Sequence, residues 1–520
     1  GQPFDDDLSA AVDGATALGV LTVASAGNSG DNPFVTGSPS AAATALSVAQ
    51  TQVPSATKVD MEVIEPTADA GFYEAVFQPW SKPLTAEISG PVTYGDGSGG
   101  NLNGCAEFAP GSLSGIVAVD RGACNFSLKV KNIEAAGGSL GIIMTVDDSA
   151  PFPGGFGGGP LPQIPGYMIG NADGDILRSW AAVVSFEPES GTPLIGTMVG
   201  SSSRVPQFQD LRIKPEIGAP GASISAEATT GTGETPFGGT SGAAPMVAGS
   251  AALLLDALSS SNATPARGQA NGTAVGQGPT PLETKALLMN TGEIDIDIAP
   301  GEGAAEITRV GGGEVRVDRA LSAPIVAYDE EGFSGGLSCG YVDVTDTVSL
   351  TKTVTIKNLD NDRHTFTVTP TFRFAEDAAS GAITVDAPST VTVKQGKGKT
   401  TSFDVTITID GSKLSGNPMN SGSSGADPKA LTAAEFDGYL LLEDGSEGVH
   451  MPWHVLPRKA AEVVPTTTAL AGGGFPETIG LDNNGVGTAQ LDPYALVVTD
   501  ENLPEGARGQ QSPTPDIRGV

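Results

Sequence analysis

Apolar residues in this chain change their spacing several times, and each change marks a different kind of element. Leu8, Ala11, Val12 and Ala15 recur at helical spacing behind Asp6 and Asp7, which can cap the first turn, and Gly19 ends the helix. Val20 to Ser25 then reads as a short buried strand, so the opening is an αβ step of a layered α/β domain. Ala26-Gly27-Asn28-Ser29-Gly30 stands at the end of that strand, where open α/β sheets place their sites, although AGNSG alone is also an ordinary turn. A strand over 44–49 follows. Farther on, Gly115 to Val119 and Leu140 to Val146 read as strands, with Phe126, Val130 and Ile133 on one face of a short helix between them that stops at Gly137-Gly138. Ser250 to Leu258 is apolar on nearly every side, the mark of a helix buried all round. Thr280-Pro281-Leu282-Glu283 is a capping box that starts a helix through Met289.

From about residue 326 the period becomes two. Val354 and Ile356, Phe366 and Val368, and Phe403, Val405, Ile407 and Ile409 alternate with polar residues, as half-buried strands do. The stretch after 466, with a strand at Tyr494 to Thr499, reads as the start of a further β domain.

A chain of 520 residues is expected to form several domains. The 71 glycines, 38 prolines and 5% aromatic content favour turns and strands over long helices. A net charge of −33 excludes a nucleic-acid partner, because phosphate binding needs a basic surface, and suits a secreted protein. No run is expected to reach the length of a membrane span, and the acidic start, Gly1-Gln2-Pro3-Phe4-Asp5, is not a signal peptide. Cys105 and Cys124 are 19 residues apart, and Cys339 stands far from both. A bridge between the first two would contribute about 3 kcal/mol in the loop-entropy account, and two unpaired buried thiols are the other reading.

The chemistry concentrates in Gly238-Gly239-Thr240-Ser241-Gly242-Ala243-Ala244-Pro245-Met246-Val247-Ala248-Gly249. Ser241 would open a helix, its hydroxyl and N–H lying where backbone donors are unpaired and the dipole is positive, which suits an oxygen nucleophile. A bare Gly-Thr-Ser is also an ordinary capping serine. The whole run resembles the nucleophile motif of the subtilisin-like serine proteases, with Ser241 in the serine's position, Gly242 where the family usually has Met, and Met246 where it usually has His. The resemblance extends to Asn28, which falls where the family's oxyanion-binding amide lies, and to Ser25, Ala26 and Gly27 as a wall of the substrate pocket. Lys214-Pro215-Glu216-Ile217-Gly218-Ala219-Pro220-Gly221 is similar to the strand and loop that precede the family's serine, with Glu216 for Asp.

Asn28 and Ser241 are 213 positions apart, about 150 more than a simple core of that family needs, which is the size of a further domain. The interposed stretch, with Gly115 to Gly122, Ile164 to Ile169 and Cys105 and Cys124 around the Arg121-Gly122 turn, resembles a protease-associated domain. The alternating strands resemble a fibronectin type III β-sandwich. The resemblance implies a multidomain protein: a partial subtilisin-like three-layer α/β catalytic domain over 1–54 and 200–325, an inserted protease-associated domain over 55–199, a β-sandwich over 326–465, and an incomplete β domain over 466–520.

A Ser-His-Asp mechanism needs a base beside the serine and a carboxylate to orient it. His364, His450 and His454 all follow Ser241 and lie in the expected sandwich, so they are read as structural. The resemblance then implies that the triad Asp and His precede Gly1 in a longer parent, and that this chain alone is inactive. The implied function is a secreted serine endopeptidase acting on peptides or proteins. No cofactor is required, no metal site is assigned, and structural calcium follows from the resemblance without a ligand set. The alternative is a non-catalytic surface or binding protein on a degenerate scaffold. A third class, the sedolisins, shares Gly-Thr-Ser but uses Asp for the oxyanion, and Asn28 argues against it.

Overall fold

A computed structural model describes residues 6–31, 33, 35–147, 151–152, 154, 156, 160–179, 182–204, 212–226, 229–231, 233–258, 278–416, 428–445, 448–467 and 479–489. The first helix, Asp7–Ala17, is capped by Asp6, whose carboxylate accepts the Ser9 N–H at 2.8 Å. Its buried face is Ser9, Val12 and Thr16 rather than the apolar stripe read from spacing; Leu8 is 52% exposed and Ala11 faces solvent. The cause is polar. Ser9 and Thr16 meet the hydroxyls of Ser38 and Thr44 across the contact, and those bonds turn their side inward.

Three parallel strands form the sheet beneath: Val23–Ser25, Leu46–Thr51 and Ile217–Pro220, with Leu46–Thr51 in the centre. The first starts later than its apolar run, since Val20 is 54% exposed. The second is displaced by two residues from 44–49. The helix Thr240–Leu258 packs on all three strands and places Ala243, Val247, Ala251 and Leu254 in one core with Leu46, Val48 and Ile217. Its other side is not covered: Met246 is 45% and Leu253 61% exposed. The expectation of a helix buried all round is thus corrected, because a sheet covers only one side of a cylinder and sequence hydrophobicity does not say which side. The same helix corrects the reading that no run reaches a membrane span. The helix is 19 residues long and an 18-residue stretch of it has a mean hydropathy of 1.4, enough by length and composition to cross a bilayer, yet its packed side belongs to the sheet core. The helix Pro281–Asn290 carries the capping box, with Thr280 and Glu283 bonded reciprocally.

Between the second and third parallel strands the chain makes a long excursion. Thr57–Lys58 pairs antiparallel with Thr192–Pro193, and between these lies an eight-stranded mixed sheet. Within the strand Gly115–Asp120, Ile116 and Ala118 join one apolar cluster and Val117 and Val119 another, so the two clusters lie on opposite faces. The helix Phe126–Ala135 seats Val130 and Ile133 in the second cluster. Every buried member of both clusters lies within residues 59–186.

From Ile325 onward, sheets of four and five strands enclose one core that includes Ile356, Phe366, Phe403, Val405 and Trp453. Their alternation is the period-two pattern of the sequence made physical: along Thr400–Asp410, Phe403, Val405, Ile407 and Ile409 are buried and their neighbours are not. Farther on, Val463–Pro465 pairs with Leu481–Asn483. The strand read at Tyr494 to Thr499 lies outside the described residues.

Candidate active site

The site forms where the first parallel strand ends and the long helix begins. Residues 26–30 leave the strand Val23–Ser25 as a loop, and Thr240 and Ser241 form the first turn of the helix Thr240–Leu258. Three bonds join these segments. The Thr240 N–H donates to Asn28 Oδ1 at 2.9 Å, the Thr240 hydroxyl donates to the same oxygen at 3.2 Å, and the Gly27 N–H donates to Thr240 Oγ1 at 3.1 Å. Only the oxygen end of an amide can accept from an N–H, so the NH2 of Asn28 is the end left to donate elsewhere. Thr240 is fully buried, whereas Asn28 and Ser241 are exposed. The arrangement therefore presents a serine hydroxyl, an amide donor and a helix N-terminus together at the surface. Those are the components that acyl transfer requires at a nucleophile and a developing oxyanion.

Glycine at 242 has a local reason. A Cβ there would overlap the Gly221 carbonyl oxygen, which lies directly against the first helical turn. Gly27 has φ +116°, and a Cβ on it would come 2.9 Å from Ser203 Oγ. Both close approaches leave no room for a larger residue beside the serine and the amide.

Of the other candidate residues, Ser25 is half-buried, Ala26 is fully buried, and Gly27 is bound through both its N–H and its C=O. Ala26 donates its N–H to the Val48 carbonyl and accepts the Gly37 N–H, so it presents neither side chain nor a free backbone group to a ligand. Cys105 and Cys124 form a disulfide between two loops that flank the strand Gly115–Asp120, far in sequence from the serine. Cys339 is free, and burial pushes its thiol up to about 11.

The histidines are engaged elsewhere. His364 bonds Asp360, His450 Nε2 lies 2.8 Å from the Gly312 carbonyl oxygen, and His454 Nε2 lies 3.0 Å from Glu435. Burial lowers His450 to about 4, so it is neutral at physiological pH. Among the described residues, no group of three or more His, Cys, Asp or Glu side chains is gathered to hold a metal ion, and calcium is assigned no ligands.

The sequence pattern gives Thr240 and the strap at Ser201–Arg204 no role of their own. Ser203 donates its N–H to the Gly27 carbonyl at 2.9 Å and accepts the Ser29 N–H on Oγ at 3.0 Å, and the Gly30 N–H donates to the Ser201 carbonyl at 2.9 Å. The run of three serines was the available signal. Its partners, Gln50 for Ser202 and Ser29 for Ser203, lie 152 and 174 residues upstream, so nothing local identifies them.

A profile described as the subtilase family matches residues 2–313. The Minor extracellular protease Vpr of Bacillus subtilis (strain 168) is 25% identical over 406 residues, covering 74% of this chain and 45% of that protein. The PIII-type proteinase of Lactococcus lactis subsp. cremoris (strain SK11) is 26% identical over 571 residues, covering 96% of this chain and 26% of that protein. The chain thus spans less than half the length of either relative. Among solved structures, the psychrophilic subtilisin-like protease Apa1 from the Antarctic psychrotroph Pseudoalteromonas sp. AS-11 is 14% identical, covering 62% of this chain and 68% of that chain, with a TM-score of 0.23.

Proposed function

The chain belongs to the subtilase family, and from that membership we propose that it is part of a secreted serine endopeptidase whose nucleophile is Ser241. One observation carries the proposal: Asn28 is bonded to Thr240, the residue next to Ser241, although 212 positions separate the pair. In this reading Ser241 Oγ attacks the carbonyl carbon of a peptide bond, and its proton passes to a base. The carbonyl oxygen gains the charge, which the Asn28 NH2 and the N–H groups of the first helical turn stabilise. The base then gives that proton to the nitrogen, the C–N bond breaks, and departure of the amine leaves an acyl ester on Ser241, which water hydrolyses.

Peptide or protein substrates are proposed from the proteases to which the chain is similar, and an extracellular location from the printed name of one of them. The excursion at residues 57–193 is read as a protease-associated domain that governs access, and the paired sheets as a fibronectin type III-like sandwich. Ser25, Ala26 and Gly27 are read as one wall of the substrate pocket. All three histidines have partners in the paired sheets or across their border. A base for Ser241 is therefore not expected among them, and the 520-residue chain alone should hydrolyse peptides poorly.

A fluorophosphonate probe tests this. It should label Ser241 in the full-length gene product, and Ser241→Ala should abolish both labelling and peptide turnover. Asn28→Ala should lower kcat by roughly 10²–10³ with little change in KM. A full-length protein that neither labels nor cleaves would instead be a non-catalytic binding protein on this scaffold.

A further inference from the structure

The loop that carries Asn28 is held from behind, and the hold originates in the paired sheets. Ser203 grips both neighbours of Asn28: it donates its N–H to the Gly27 carbonyl and accepts the Ser29 N–H on its hydroxyl. The fit is close, since a Cβ on Gly27 would come 2.9 Å from Ser203 Oγ. Any displacement of residue 203 must therefore move the backbone on either side of the amide. What fixes residue 203 is the next side chain. Arg204 is 1% exposed, and its guanidinium is spread over four groups. Nη2 pairs with Glu435 and donates to Thr308 Oγ1 at 3.0 Å; Nη1 donates to Thr432 Oγ1 at 3.2 Å and lies 3.5 Å from Glu306 Oε1. Glu435 and Thr432 belong to the paired-sheet region, 231 and 228 residues downstream. Glu435 is fixed in turn by Thr308 and His454, and the Thr432 hydroxyl donates to Glu306 Oε1 at 2.6 Å. A planar guanidinium bound at both ends of its fork cannot shift without breaking buried charge-assisted bonds.

We infer that Arg204 is a positioning residue through which the paired sheets fix Asn28, so that the C-terminal region is a working part of the oxyanion site. The inference rests on the serine-protease reading for its catalytic consequence, but its structural half can be tested without activity.

Two variants of the full-length gene product test it. Thr432→Val removes one acceptor of the guanidinium at a half-buried position and leaves Glu435 in place. Arg204→Lys keeps the charge and loses the fork. Each should lower kcat for a peptide substrate, by about tenfold for Thr432→Val, with KM within about twofold, as expected of misplacement in the transition state. In an Asn28→Ala background the same substitution should change kcat less than about twofold, because the group being positioned is gone. Hydrogen exchange provides the second readout: the Ser29 and Gly30 amides should exchange faster in Thr432→Val, while amides of the inserted sheet stay unchanged. Equal kcat losses with and without Asn28, or unaltered exchange at Ser29 and Gly30, would overturn the inference. A wild type with no turnover but with the expected exchange change would count against the protease reading and leave the positioning intact.

Discussion

The excursion at residues 57–193 and the paired sheets after Ile325 both adjoin the parallel-sheet core, but they join it in opposite ways. The excursion meets its parent at a neck, Thr57–Lys58 against Thr192–Pro193, and its two apolar clusters recruit no buried residue from outside 59–186. The paired sheets share their interior with the parent. Val326 and Tyr328 sit in the same core as Leu287 and Val247, and Ile213, Ile307 and Tyr439 form a further common cluster. Polar side chains reinforce that border. Asn290 donates to the carbonyls of Gly335 and His450 and accepts the Ala327 N–H, while Arg373 donates to the carbonyls of Ile294, Ile296 and Ala305. A region with its own core behaves as a separable module, whereas one that shares a core with its neighbour does not.

Two deletions give the largest expected effect. Replacing residues 57–193 by a short Gly-Ser linker should leave the remaining body folded, with a thermal midpoint within a few degrees of the parent. Removing everything after residue 323 should leave the parallel-sheet region unfolded or aggregated, because Leu287, Asn290 and Arg204 would lose their cover. Circular dichroism melts and limited proteolysis distinguish these results, and a stable parallel-sheet region without the paired sheets would break the comparison. Next in size is Asn290→Ala, which strands two buried carbonyls and one N–H. It should cost the shared body about 3–5 kcal/mol in urea unfolding and leave the excursion's own transition unmoved.

The Cys105→Ser, Cys124→Ser double variant addresses the other partner. Opening that loop should cost about 3 kcal/mol, confined to the excursion; a matching loss in the shared body would show that the neck transmits stability. The smallest effect concerns pH. His450 titrates near its ordinary value of 6.5 in the unfolded chain but only at about 4 when buried at the border. The unfolded state therefore binds the proton first, and stability falls as pH drops through this window. Between pH 6.5 and 5 the loss should be about 1.5 kcal/mol relative to a His450→Gln variant. Parallel urea curves for the two proteins at both pH values would refute it.

What the sequence reveals follows from how local each determinant is. The alternation around Phe403 to Ile409, the capping box at Thr280 and the serine motif all lie within a dozen residues, and all are readable. The buried side of the first helix is not, because Ser9 and Thr16 are drawn inward by Ser38 and Thr44 rather than by their own hydrophobicity. The covered side of the helix Thr240–Leu258 is equally hidden, since Leu253 and Leu254 look alike until one meets the sheet. Arg204 is the extreme case. A buried cation whose anions lie 102 and 231 residues away leaves no periodicity, spacing or motif to read.

The neck also bears on the order of folding. In an unstructured chain, bringing Asn28 to Thr240 closes a loop of 212 residues. Once the excursion has folded, its ends are paired at Thr57–Lys58 and Thr192–Pro193, and the remaining loop is only about 75 residues of free chain. Loop-closure entropy then favours the later encounter by about 1 kcal/mol. The excursion should thus gain hydrogen-exchange protection before residues 26–30 do in a refolding pulse experiment, and simultaneous protection would argue that the two close together. A domain placed between the two halves of a site is in this sense a temporary clasp, shortening the search that assembles them.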